Sequence, residues 1–260
     1  MPRVTFGDVS LTGDRHVGIV VFHRPPHNYV DQALLENLVT AFAVCDNDPE
    51  CRAIILRSEG RSFCSGANFS TAPGGSGDDA SRARRWYAEA VRLFGTSKPI
   101  IAAVHGAAIG GGLGLALLAD FRVASPDARF SANFTRVGMH PGFGLTLTLP
   151  RLIGPQRASL LFYTGRAIGG EEGLTWGLVD VLATGDGVRL AALALAAEIA
   201  EAAPLAVQST RATMRRGLHV ALKAHIEHEL AEQTRLQLTD DHREWMDAAG
   251  QRRPGRFLGR

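Results

Sequence analysis

The sequence predicts an α/β protein with a helical C-terminal region, and three observations predict it. Short β-branched, apolar runs alternate with helix-patterned segments through roughly the first 180 residues. Two segments, RSFCSGANFS at 61–70 and VHGAAIGGGLGL at 104–115, read as strands that end in turns of small residues. From Leu190 onward strand signals fade, and alanine-rich or amphipathic helical patterns take over.

Each element follows in order. Residues 4–23 alternate as two strands about a turn at Gly13-Asp14-Arg15. The second, VGIVVFHR, stops at Arg24-Pro25-Pro26, because proline lacks the amide a ladder needs. Leu34, Leu35, Leu38, Val39, Phe42 and Ala43 recur at helical spacing after Asp31, a side chain suited to an N-cap. CRAIILRS reads as a strand that runs into the first small-residue turn, and 72–79 reads as a mobile loop. A helix carrying Trp86, Tyr87, Val91, Leu93 and Phe94 comes next; its aromatic residues suit either core or pocket wall. PIIAAVHG is a buried strand, GGLGLALLA a helix and FRVAS another strand. Residues 190–202 form an alanine-rich helix, Pro204 opens another at its first turn, and 219–238 is long and amphipathic. The last ten residues, with four arginines and Pro254, read as a weakly ordered tail. The chain thus divides into an α/β core over 1–190 and a helical region over 191–260 that packs on the core or on a neighbouring subunit.

The 260 residues are 45% hydrophobic and 21% charged, which is ordinary globular composition with enough chain for a sizeable core. A net charge of +2 is too mild to argue for nucleic acid or a membrane as partner. Cys45, Cys51 and Cys64 show no C-x-x-C spacing, and the N-terminus carries no secretory pattern, so a reduced cytoplasmic setting is expected. The longest apolar run, 107–119, is shorter than the ~20 residues of a membrane span.

The two turns are poor in reactive side chains, which leaves the backbone amides as their chemistry. Glycine lets a ligand approach the main chain, because no Cβ stands in the way. Two convergent N–H groups can hold the oxygen of a polarised carbonyl, and losing one such donor costs about 2.7–4 kcal/mol of transition-state stabilisation. A plain tight turn is the competing reading of either segment alone. The run from Gly110 to Gly114 fits neither G-x-G-x-x-G nor a P-loop, so no nucleotide motif is supported.

Four segments, in order, resemble the crotonase superfamily, the enoyl-CoA hydratase/isomerase family: RSFCSGANFS, VHGAAIGGGLGLALLADFRVAS, VGMHPGFGLTLTLPRLIG and TGRAIGGEEGLTWGLVDVL. The resemblance implies a spiral of ββα units followed by a helical oligomerisation region. It implies an acyl-CoA partner that is itself the substrate, no further cofactor, and a homotrimer or dimer of trimers. The oxyanion-hole amides it implies are those of Ala67 and Gly111. It places CoA contacts on Pro26, Ser65, Ala67 and Phe69.

Two departures stand out against that family. Hydratases of the family use two glutamates to handle water and the α-proton; the corresponding positions here are Gly114 and Phe134. Neither transfers a proton. His140, just before Pro141-Gly142, is the substitute acid or base to consider, with a loop hydrogen bond as its other reading. A CoA contact or a structural role fits His27, packing fits His105, and a structural hydrogen bond fits Asp120. Cys64 reads as a small buried hydrophobe, and His225, His228 and Glu229 read as a solvated helix face rather than a metal site. Three functions remain open: a hydratase/isomerase with a rearranged acid-base set, a crotonase-type thioester or carbon–carbon bond hydrolase using His140, and a non-catalytic acyl-CoA binder.

Overall fold

The computed structural model describes residues 2–68, 78–251 and 253–260, with the backbone alone for 78–82. The chain opens with three antiparallel strands, β1 (Val4–Phe6), β2 (Val9–Asp14) and β3 (Val17–Phe22), where two were expected. Gly7 at φ +53 makes the extra reversal, and Arg15 at φ +51 makes the next. Asp31 caps α1 (Gln32–Asn47) as its position suggests, accepting the Leu34 N–H on Oδ1 at 2.9 Å. There follow β4 (Ala53–Ser58), α2 (Asp78–Phe94), β5 (Ile100–Val104), β6 (Ala107–Ile109), α3 (Gly111–Leu117), β7 (Phe121–Ala124) and β8 (Arg129–Ser131). A 3-10 turn at Asn133–Val137 leads to α4 (Leu145–Ile153), α5 (Pro155–Thr164), β9 (Ala167–Gly169), α6 (Gly170–Trp176) and β10 (Val181–Leu182). The last four helices are α7 (Gly187–Glu201), α8 (Pro204–Met214), α9 (Leu218–Leu236) and α10 (Asp240–Gly250).

The larger sheet runs β1-β2-β3-β4-β5-β7-β10 and is parallel from β3 onward. Its central strands are apolar on both faces because both faces are covered. Leu34, Leu38 and Phe42 of α1 pack on one face beside Ile54 and Leu56. Val188, Ala192, Ala196 and Ala200, spaced one turn apart on α7, pack on the other against Val17, Ile55, Ile101 and Val123. Residue 190, where the sequence reading divides the chain, therefore lies inside a helix that helps form the core. The β6-β8-β9 sheet carries the glycine-rich turn.

Ionic side chains tie the C-terminal helices to this body. Asp120 accepts the Ile100 N–H at 2.8 Å and pairs with Arg211 and Arg215 at 2.8 and 2.9 Å. Arg122, 1% exposed, donates to the carbonyls of Leu178 and Ala119 and pairs with Asp180. The terminal residues are not loose, as their composition suggested. Leu258 and Gly259 donate amides to Asp241 of α10, and Arg253 pairs with Glu244.

Candidate active site

The two small-residue turns meet. Cys64 N–H donates to Ala107 O at 2.8 Å and Ile109 N–H to Cys64 O at 3.0 Å, so the first turn runs beside β6. A Cβ on Gly112 would stand 2.0 Å from Cys64 O, and one on Gly66, at φ +85, would stand 2.8 Å from Ile109 O. Glycine at these positions is what allows the contact. The loop after β3 closes the other side: Ser65 N–H donates to His27 O, and Val30 N–H to Gly66 O. Buried Asn28 holds that loop, donating from Nδ2 to the carbonyls of Glu59 and Ser62, both at 2.7 Å.

This brings Ser65, Ala67 and Gly111 to one junction, with Pro26 next to His27 in the loop that closes its other side. Pro26 is exposed, Ser65 and Ala67 are half-buried and Gly111 is buried. A Cβ on Gly66 would lie 3.7 Å from Gly111 N. Among the described residues, neither the Ala67 nor the Gly111 amide finds a hydrogen-bond acceptor. Phe69 lies outside the described residues, as does most of the 72–79 loop.

Aromatic rings surround the glycine run. A Cβ on Gly110 would meet Phe134 Cζ at 3.6 Å; on Gly111, Val30 Cγ1 at 3.2 Å and Trp86 Cη2 at 3.5 Å; on Gly114, Phe143 Cδ1 at 2.5 Å. Trp86 stands edge-to-face with Phe143, centroids 5.2 Å apart at 79°, and with Tyr87 at 4.7 Å and 86°. The aromatic residues of α2 thus separate: Phe94 and Tyr87 are buried, whereas half-buried Trp86 faces the glycine turn. Phe143 is fully buried at φ +62, a left-handed conformation uncommon for a residue with a side chain.

His140 sits among groups of α9. Its Nδ1 lies 2.8 Å from Pro141 O, which can only accept, so Nδ1 is the donor of that bond. Its ring is edge-to-face with His228 at 5.8 Å, and its carbonyl accepts from Gln233. Gln233 in turn accepts the Tyr87 hydroxyl at 2.8 Å.

Glu229 corrects the solvated-face reading of α9, because it is 0% exposed. Its carboxylate accepts the amides of Gly144 and Thr146 at 2.7 and 3.0 Å and the Thr146 hydroxyl at 2.5 Å. Burial holds its pKa above the usual carboxylate value, against the pull of those hydrogen bonds. His225 completes the group through the Thr146 hydroxyl. No set of three or more His, Cys, Asp or Glu among the described residues is placed to hold a metal ion.

The remaining candidates have quiet surroundings. Burial pushes the Cys64 thiol up to about 12, too high for a nucleophile at neutral pH. His105 bonds Gly60 O at 2.8 Å, and His27 packs on Tyr29. Phe143, Glu229 and Gln233 escape sequence reasoning, because each gains its role from a contact across the chain. The missing side chain at Gly114 is the one local signal for Phe143. No single helix among the described residues is long and apolar enough to cross a membrane.

Comparison with known proteins agrees with this architecture. Residues 12–259 match the enoyl-CoA hydratase/isomerase family. A probable enoyl-CoA hydratase of Mycobacterium tuberculosis is 38% identical over 235 residues, covering 89% of this chain and 90% of the relative. The (E)-benzylidenesuccinyl-CoA hydratase of Thauera aromatica is 33% identical, covering 96% and 99% of the two chains. The crystal structure of an enoyl-CoA hydratase/isomerase from Pseudoalteromonas atlantica superposes with a TM-score of 0.85 at 26% identity, covering 96% of this chain and all of that one.

Proposed function

Because the chain belongs to the enoyl-CoA hydratase/isomerase family, we propose that it binds acyl-CoA thioesters and polarises the thioester carbonyl between the amides of Ala67 and Gly111. It is an enoyl-CoA hydratase/isomerase-like enzyme; which reaction it runs is the open step. The observation that carries the proposal is the pair of neighbouring amides that find no acceptor among the described residues, on turns that only glycine allows to touch. As negative charge develops on the carbonyl oxygen, two fixed N–H dipoles stabilise it without reorganising. CoA runs along Pro26, Ser65, Ala67 and Phe69 as the substrate itself, and no other cofactor enters.

In this reading neither usual glutamate is present: Gly114 and Phe134 hold those positions. Proton transfer then falls to another group, and His140 Nε2 is the first to test. The aromatic surroundings of Gly110, Gly111 and Gly114 favour one second reading, a protein that binds acyl-CoA without turnover. Assembly as a trimer or dimer of trimers fits α8, which has no buried residue and exposes Leu205 and Met214. Sedimentation velocity reads that state directly.

Loss of enoyl absorbance with crotonyl-CoA and longer enoyl-CoAs, with the 3-hydroxyacyl product identified, tests turnover. Gly111→Pro removes one donor and is expected to lower the rate by about 10²–10³-fold if it folds. His140→Ala is expected to cost about 10²–10⁴-fold if the imidazole moves the proton. No turnover across the panel while the thioesters still bind would favour the binder.

A further inference from the structure

The inference rests on the acyl-CoA reading. We infer that Trp86 and Phe134 are specificity-determining residues that select CoA thioesters of aryl-bearing acids, with Phe143 positioning Trp86. Contacts around the glycine run support it. A Cβ added at Gly110, Gly111 or Gly114 would lie 3.6, 3.5 or 2.5 Å from the rings of Phe134, Trp86 and Phe143, with Val30 Cγ1 at 3.2 Å from the one on Gly111 and Asn133 Oδ1 at 3.7 Å from the one on Gly110. An acyl group whose carbonyl oxygen rests on Gly111 N–H therefore begins between the Val30 methyl and the Trp86 ring, with Phe134 one residue along the turn.

The rings divide by burial. Phe143 is 0% exposed and serves as the base of the group. Trp86 and Phe134 are half-buried: each packs against the core over part of its surface and is exposed over the rest. Trp86 has little freedom to turn, since Phe143 and Tyr87 both meet it edge-to-face. Phe143 reaches its place only through a left-handed backbone at φ +62, a conformation that persists where surrounding packing imposes it and that clusters at ligand sites.

An aryl group between such walls gains edge-to-face or offset contacts that a saturated ring of equal size lacks. Pairs of this kind are worth about two- to tenfold in affinity. Calorimetric titration with 3-phenylpropanoyl-CoA, 3-cyclohexylpropanoyl-CoA and CoA alone tests this, because neither thioester has a double bond to hydrate. The phenyl thioester is expected to bind about two- to tenfold tighter than the cyclohexyl one. Trp86→Leu should erase that preference and leave CoA affinity unchanged, while Trp86→Phe should keep part of it. Circular dichroism establishes that each variant is folded, and Phe134→Leu, which removes the second wall, supplies an independent test.

Equal affinities in the wild type, or a preference that survives both Trp86→Leu and Phe134→Leu, would overturn the inference and leave the acyl-CoA reading standing. If neither thioester binds and CoA does not bind either, the acyl-CoA reading itself fails and takes this one with it.

Discussion

Gly114 and Phe143 act as one unit, although they lie far apart in sequence. The ring fills the space that a side chain at 114 would need, and a Cβ there would stand 2.5 Å from Phe143 Cδ1. Installing a carboxylate therefore requires clearing the ring. Gly114→Glu alone is expected to destabilise the protein and bring no hydration activity. Gly114→Glu combined with Phe143→Gly vacates the ring and relieves the left-handed strain at φ +62. If the space faces the acyl group, crotonyl-CoA hydration in the folded double variant should rise by about 10²-fold over the wild type. A folded double variant with no gain would mean that position 114 points away from the reacting carbons. The same pair explains what a linear reading can and cannot supply. Glycine at 114 is visible in the sequence as a missing acid, but its replacement by an aromatic ring is visible only once the turn before α4 is packed beside α3.

At the scale of elements, the strands and helices that carry a local rule were legible. Asp31 before α1, Pro204 at the start of α8 and the alternation through β3, β4 and β5 all follow from backbone chemistry. Short elements set by tertiary pairing were not: β1 depends on its register with β2, and β6 on its partner β8. Glu229 belongs to the second kind. On α9 it looks like one more polar residue, yet it supplies the cap that α4 lacks in its own sequence, since Gly144 has no side chain to offer. Burial raises its folded pKa above the unfolded value, so the native state binds the proton more tightly. The resulting stabilisation is fully present below the unfolded carboxylate pKa and is lost as pH rises through the raised folded value. Glu229→Gln removes that titration. Urea unfolding at a series of pH values should show the wild type losing stability relative to the variant as pH rises across this window. A constant difference would show that the carboxyl titrates alike in both states.

Across the whole molecule, the C-terminal helices are held by two different means. α7 is bound by alanine packing on the sheet, a hydrophobic attachment continuous with the core. α8 has no buried residue, and its hold on the body is ionic. Arg211, near its end, and Arg215, just beyond it, both reach Asp120, while Arg211 Nη1 donates to the Thr96 carbonyl and Arg215 Nη2 to the Phe94 carbonyl. All three charged side chains are largely shielded, at 10%, 17% and 18% exposure. Burial and the neighbouring Arg211 already depress the Arg215 pKa, so the carboxylate is what makes two close guanidinium groups tolerable there. Removing it leaves two cations without their shared counter-charge, which is costlier than losing an exposed pair. Asp120→Ala is therefore expected to destabilise the protein by about 3–5 kcal/mol. Asp120→Asn keeps an acceptor and should cost less, through the charge alone. Urea midpoints measure the loss, and limited proteolysis shows where it falls: cleavage should appear first around residues 201–217, with the sheet still protected. Equal midpoints for wild type and Asp120→Ala would mean that α8 is held by something other than this clamp. A uniform loss of protection would mean that α8 and the sheet unfold as one unit.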